Sequence, residues 1–248
     1  MSASVQVIPV EGLPEVTQDS PLAAEIADRA RLVAGDVLCI SQKVVSKAEG
    51  RIRDLGAVTP SERARKMAAE LGKEPEMVEL VLSESRRVVR AERGVLITET
   101  HGGLICANAG IDSSNVPGER SVALLPKNPD ASARRIRAGL RDAGAPAVGV
   151  LIADSFGRPW RLGQAEVAIG CAGLPALDDW RGRSDRDGRE LEATAIGLAD
   201  QIAAAADLAR DKTSGTPVVL VRGLAVVIDE DGPGAGALHR PADEDLFR

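Results

Sequence analysis

The chain has 248 residues, 44% of them hydrophobic, enough for one large domain or two small interleaved ones with a real core. Its formal charge is −6, with acidic residues spread along the chain, so neither a nucleic-acid surface nor an anionic-membrane surface is marked, and any polyanion must be bound locally. No apolar run has spanning length, no basic-then-apolar leader is expected, and three scattered cysteines (Cys39, Cys106, Cys171) with two histidines point to buried thiols in a reducing, cytoplasmic setting and away from a Cys/His zinc site.

VQVIPVEGLPEV alternates like a strand and turns at Gly12-Leu13-Pro14. LAAEIADRARLV has helical spacing, with Leu22, Ile26 and Ala30 on one side, and stops at Gly35-Asp36. VLCISQKVVSKAEGRI reads as an apolar strand that turns polar at Ser41-Gln42-Lys43. Pro60-Ser61-Glu62 opens a helix, and EPEMVELVLSESRRVV predicts a second one from near Pro75. GVLITET and GGLICANAGI predict a hairpin about His101-Gly102. PDASARRIRAGLRDAG predicts an amphipathic helix with Asp130 as N-cap and Gly144 past its end. In VGVLIADSFGRPWRLGQ a buried strand stops at Asp154-Ser155 before a polar segment. AEVAIGCAGLPAL is small and apolar, and WRGRSDRDGRELE reads as a charged loop. LEATAIGLADQIAAAADLAR predicts a helix ending in a Lys212-Thr213-Ser214-Gly215-Thr216-Pro217 turn. PVVLVRGL follows as a strand, and the Gly, Pro and acid of DEDGPGAG mark residues 229–248 as a tail or linker after a folded unit at 1–228. Strands and helices mix without strict βα alternation, which predicts a mixed α/β (α+β) fold. No G-x-G-x-x-G follows a strand and no G-x-x-x-x-G-K-[ST] occurs, which excludes Rossmann and P-loop phosphate sites.

Two segments share one design, an apolar strand followed by Asp among small residues: CANAGIDSSN with Asp112, and VLIADSFG with Asp154. Two carboxylates from separate strand ends bring hard oxygen ligands to one point, as Mg²⁺ or Mn²⁺ requires, with Ser155 as a further hydroxyl and Asn115 as a partner for a phosphate or ribose oxygen. The alternative is that strand-end Asp is a turn former or N-cap. Lys43 and Lys47 suit a phosphoryl group, or else are exposed amines at a strand edge. Arg158 and Arg161 suit an anionic substrate, or else are ordinary loop arginines. His101 at a turn and His239 in the tail are weak candidates for general bases, Cys106 and Cys171 read as core, and Trp160 and Trp180 suit stacking on a ring, or else are packing anchors.

The ordered set VEGLP (10–14), SQKVVSKAEGR (41–51), NAGIDSSNVPG (108–118), LLPKNPDASARRIR (124–137), DSFGRPWRLGQ (154–164), GREL (188–191) and VRGL (221–224) resembles the coenzyme F420-0:L-glutamate ligase family, also called F420:γ-glutamyl ligase. The resemblance runs from about residue 5 to residue 224. It departs at Arg186-Asp187-Gly188-Arg189-Glu190-Leu191, where the family commonly has Leu-Tyr before the glycine. It implies a two-lobed mixed α/β subunit, a homodimer, and an enzyme that joins L-glutamate to F420-0 through an amide bond, consuming GTP, and then adds γ-linked glutamates.

By the same resemblance Glu11, Gly12, Leu13 and Pro14 line the GTP site, Ser41, Lys47 and Asn115 contact the nucleotide, and Lys212, Thr213, Ser214 and Gly215 lie in a loop around it. Asp112 and Asp154 hold one Mn²⁺ or Mg²⁺ and Ser155 a second, with room for a monovalent cation, and Asp112, Asp154 and Lys47 are the expected catalytic residues. HRPADEDLFR resembles the junction in actinobacterial two-domain members, where an FMN-binding nitroreductase-like domain follows, so the expectation is either a stand-alone ligase or the first half of a separated pair with a nitroreductase-like protein as its partner. Two other functions compete: a non-catalytic deazaflavin- or nucleotide-binding partner, and a metal-dependent phosphohydrolase.

Overall fold

The computed structural model describes residues 4–210, 215–226, 228 and 232–246. Its strands are β1 (Gln6–Pro9), β2 (Val37–Ser41), β3 (Ile52–Asp54), β4 (Ser85–Glu92), β5 (Val95–Thr100), β6 (Ile105–Ala107), β7 (Ser121–Ala123), β8 (Gly149–Arg158), β9 (Arg161–Ala172), β10 (Asp178–Asp179), β11 (Ala195–Ile196) and β12 (Val218–Arg222). Its helices are α1 (Leu22–Ala27), α2 (Gln42–Ala48), α3 (Glu62–Leu71), α4 (Pro75–Ser83), α5 (Pro129–Asp142) and α6 (Leu198–Asp207). The mixed α/β expectation holds.

The main lobe is a sheet in the order β1-β12-β2-β8-β9, antiparallel except for the β2–β8 pair. Its inner strands are continuous apolar runs because both faces are covered. Leu38, Ile40, Val150, Ile152, Val218 and Leu220 pack against α1, α2 and α5. The intervening Val37, Cys39, Leu151, Ala153, Val219 and Val221 pack against α6. The second lobe gathers α3, α4, the β3–β7 ribbon and the β4-β5-β6 sheet around Leu71, Val78, Val81, Leu96 and Leu124.

Helix α5 has the predicted span, but its cap is Asn128, whose side chain accepts from Ala131 N–H. Pro129 occupies the first turn, so Asp130 lies inside the helix. There its carboxylate is free to accept the N–H groups of Cys171 and Ala235, tying β9 and the C-terminal segment to α5. Gly144, at φ 85, follows the helix end as predicted. The contact with β9 is close at Gly170, where a Cβ would stand 2.5 Å from the Pro129 carbonyl oxygen.

Besides the α5 cap, several expectations change: the helix read from Leu191 starts only at Leu198, because Ala195–Ile196 pairs with β10 as strand β11. The helix begun at Pro75 ends at Ser83, and Ser85–Glu92 is a strand that pairs with β5 through two register irregularities. The strand at residues 37–52 breaks at Ser41 into α2, because Val44 and Val45 find their apolar contacts in the core beneath the sheet. The strand carrying Asp154 continues to Arg158 and turns directly into β9, so residues read as a loop form a two-stranded extension of the sheet. Finally, residues 232–238 of the segment read as a linker pack onto the α6 face, with Ala235 1% exposed.

Candidate active site

The last residues of β1 and β2 and the first of β12 lie at one end of the sheet, Pro9 opposite Val219 and Ile40 opposite Val218, and β8 runs past that end beside Ser41. In open α/β sheets ligands bind beyond such strand ends. Ser41 N–H donates to the Pro217 carbonyl and Val10 N–H to that of Val218. These bonds bring the Glu11–Pro14 segment, Ser41 and the base of the 215–217 turn to neighbouring positions. Lys47 pairs with Glu15 at 2.6 Å and Arg29 Nε donates to the Gly12 carbonyl, which fixes that segment against α2 and α1. Gly215 is exposed at φ 66; Lys212, Thr213 and Ser214 lie outside the described residues.

Asp112 belongs to the second lobe, where its backbone exchanges both hydrogen bonds with Ala123. The residues before it are backbone-strained: Asn108 and Ala109, both non-glycine, have φ of 51° and 53°. Lys43 of α2 crosses from the main lobe. Its Nζ lies 2.7 Å from Asp112 Oδ2 and 2.5 Å from the Ser114 carbonyl, and its side chain is only 15% exposed. It is therefore a half-buried inter-lobe cation, not an edge amine. Burial pushes the Asp112 carboxyl up, but the bonds from Lys43 and from the Ser114 N–H and hydroxyl outweigh it and hold the group below the usual carboxylate range. Asn115, exposed at φ 53, follows in the same turn.

A carboxyl held low stabilises the fold above its unfolded pKa, and that stability is lost as pH falls through the folded value. Lys43→Met is therefore expected to cost on the order of 1 kcal/mol at pH 7, after allowance for solvent at Asp112. The difference from wild type should shrink below about pH 4, where Asp in the unfolded chain takes up its proton. Urea unfolding at pH 7 and pH 3 measures this; a pH-independent difference would mean that Lys43 acts by packing alone.

Asp154 faces the same side of the sheet as Ile152, and burial, followed by the charge of Glu166, pushes its carboxyl up to about 7; Asp112 adds to the rise, while the Ser155 N–H and Lys43 oppose it. Asp112 and Asp154 thus feel each other's charge where β6 of the second lobe meets β8 of the main lobe. Ser155 turns to the other face, as strand alternation requires. Its hydroxyl donates to Glu166 Oε1 at 2.8 Å, and Arg210 Nη1 lies 3.5 Å from Glu166 Oε2. Lys43 therefore ties Asp112 to the main lobe, and Asp154 feels the charge of Asp112 and, more strongly, that of Glu166, to which Ser155 is hydrogen-bonded on the other face.

Among the described residues no three His, Cys, Asp or Glu side chains form a complete metal shell. The donor set nevertheless fits Mg²⁺ or Mn²⁺: these ions take hard oxygen ligands, and Mg²⁺ in particular is usually bound by one or two carboxylates with substrate phosphates completing the shell. The raised carboxyl of Asp154, beside two further acids, is the kind of group that a cation relieves.

Other candidates fall away from this cleft. Arg158 spends its guanidinium on the Leu162 and Gly163 carbonyls of its own hairpin. His101 is exposed and bonds the Ser83 carbonyl. The cysteines are buried, and burial pushes Cys39 up to about 11 and Cys106 and Cys171 up to about 12, so they remain inert thiols, as expected. Glu166 and Arg210 were not singled out from the sequence. The available signal was a lone Glu in the apolar run AEVAIGCA, at a position that strand alternation turns inward.

The profile of the F420-0:Gamma-glutamyl ligase family matches residues 12–223. The chain belongs to this family. Its family relatives include the coenzyme F420:L-glutamate ligase of Methanopyrus kandleri, 43% identical over 98% of this chain and 97% of that protein. Those of Halobacterium salinarum and Archaeoglobus fulgidus are 45% and 44% identical, over 96% and 98% of this chain and 94% and 96% of theirs. The motif order that suggested the family thus extends across the whole matched region. No helix among the described residues is long and apolar enough to cross a membrane.

Proposed function

We propose that the protein is a ligase that joins L-glutamate to coenzyme F420-0 in a GTP- and divalent-metal-dependent reaction, and then adds γ-linked glutamates. Family membership and the activity for which the relatives are named support the ligase. The observation that supports the site assignment is the Lys43–Asp112 ion pair joining the lobes, with Asp154 feeling the charge of Asp112, and the neighbouring strand ends that bear Glu11–Pro14, Ser41 and Gly215.

An amide cannot form directly from an ionised carboxylate and an ammonium group at neutral pH. In the proposed sequence a carboxylate oxygen of F420-0 attacks the γ-phosphorus of GTP, GDP leaves, and an acyl phosphate remains. The neutral amine of glutamate then attacks the acyl carbon, the C–O bond to phosphate breaks, and the amine proton departs to solvent or phosphate. Asp112 and Asp154 would hold a divalent ion, which would supply neutralisation of the charge that develops on the phosphoryl group in transfer. Within the chain, Lys43 holds the Asp112 loop to α2 and so fixes one lobe against the other. Lys47 and the Glu11–Pro14 segment bind the nucleotide, as do Asn115 and the 212–215 turn. Orientation of the amine beside the acyl carbon accounts for much of the rate. Assembly as a homodimer is part of the same proposal.

The test is incubation with F420-0, GTP, Mn²⁺ and L-glutamate, followed by mass spectrometry of the deazaflavin. The expected product is heavier by one or more glutamyl units, with GDP released in proportion. GTP cleavage that needs neither F420-0 nor glutamate would instead identify a phosphohydrolase, and binding without turnover would identify a non-catalytic partner.

A further inference from the structure

Ser155 on β8 and Glu166 on β9 are directly opposed in register, and the serine Oγ lies 2.8 Å from Glu166 Oε1. Glu166 is 7% exposed, yet it sits among the small apolar residues that pack under α6. Its charge is met by Arg210, whose side chain is 9% exposed and whose Nη1 approaches Glu166 Oε2 at 3.5 Å. Arg210 in turn donates through Nη2 to the Cys39 carbonyl at 3.2 Å, so the pair is anchored to the central strand β2. Burying two charges has a large desolvation cost, and a hydrophobic pair of the same volume would fill this space without it. Packing alone therefore does not explain Glu166.

A serine hydroxyl has one proton and two lone pairs, and an ionised carboxylate can only accept. The direction of the Ser155–Glu166 bond is thus fixed by chemistry. With its proton directed at Glu166, the Ser155 oxygen presents lone pairs alone to the outside, which is what a cation requires and what an amide or ammonium donor would also accept. Rotated elsewhere, the same hydroxyl would point a proton at the ion. Outer partners of this kind orient metal ligands and commonly govern 10- to 100-fold in affinity, an order-of-magnitude range.

We propose that Glu166, held by Arg210, is a positioning residue that takes the proton of the Ser155 hydroxyl and so makes that oxygen a ligand for a divalent cation carried on the nucleotide phosphates. The inference rests on the proposed role of Ser155 as an ion ligand. Glu166 acts through Ser155 and contacts neither substrate nor ion.

A double-mutant cycle tests it. Mn²⁺ affinity in the presence of GDP is measured from the paramagnetic resonance signal of free Mn²⁺ for wild type, Ser155→Ala, Glu166→Leu, which has no acceptor for the Ser155 proton, and the double variant, with thermal melts to establish folding. Each single change is expected to weaken Mn²⁺ by about 10- to 100-fold. The double variant should be no weaker than Ser155→Ala alone. Multiplicative losses, or an unchanged affinity in Glu166→Leu, would overturn the inference while leaving the ligase and the role of Ser155 intact. An unchanged affinity in Ser155→Ala would remove the ligand role itself and the inference with it. Should Glu166→Leu strand the Arg210 charge and unfold the chain, the pair Glu166→Leu with Arg210→Met removes both charges together, and the same masking by Ser155→Ala is expected.

Discussion

Asp154→Asn is expected to abolish glutamate-dependent GDP release, lowering it by more than about 100-fold, beyond the 10- to 100-fold typical of partners outside a metal's immediate ligands. The same substitution is expected to stabilise the metal-free protein. In the folded chain burial and the charge of Glu166 push this carboxyl up to about 7, against about 3.9 when unfolded. A raised carboxyl favours the protonated fold, so its contribution is fully present below about pH 4 and is lost as pH rises to about 7. Above that, wild type carries a charge in a poorly hydrated place, a penalty of at most roughly 4 kcal/mol. With chelator present, the variant should melt several degrees higher at pH 8, at about 2–4 °C per kcal/mol for a chain of this size, and equally with wild type near pH 4. Lost activity with an unchanged or lower melting temperature at pH 8 would contradict this account of the carboxylate.

Gly170→Val is expected to destabilise the fold by about 3 kcal/mol or more, at the upper end of the range for overpacked cores. The new Cβ would stand 2.5 Å from the Pro129 carbonyl oxygen and 2.6 Å from its carbon, and neither backbone atom can swing aside as a flexible side chain would. Relief requires the start of α5 to lift off β9, breaking the Asp130 bond to Cys171 N–H nearby. Urea unfolding measures the loss. A cost below about 1 kcal/mol would mean that α5 and β9 are less tightly apposed than described.

The sequence disclosed what local chemistry governs. The turn at His101-Gly102, the helix start at Ser61 and the end of α5 at Gly144 each depend on residues adjacent in the chain, and all three were legible. Ser85–Glu92 was not. Two irregularities in its pairing with β5 break the alternation that marks a strand, and the preceding helix pattern flows into it without a glycine or proline. The β8–β9 extension was hidden for a related reason. Beyond the covering helices its residues face solvent, Trp160 at 81% and Leu162 at 98% exposure, so no buried face writes a pattern into the sequence. At the site, Asp112 and Asp154 stood out because each follows an apolar strand. Lys43 by itself suggests only a phosphoryl partner or an edge amine, since its tie between the lobes depends on a partner, Asp112, 69 residues later. Glu166 is legible only once β9 is known to oppose Ser155.

The last strand of the chain, β12, lies between the first two, β1 and β2, and bonds to both. During synthesis β1 consequently waits without its neighbour until residues 218–222 have emerged from the ribosome, and the end of the sheet that bears Glu11 and Ser41 closes only with residues 215–222. Such long-range closure slows folding and leaves Val7 and Val37 uncovered meanwhile. A nascent fragment stopped before Val218 has the aspartates but no cleft to hold them.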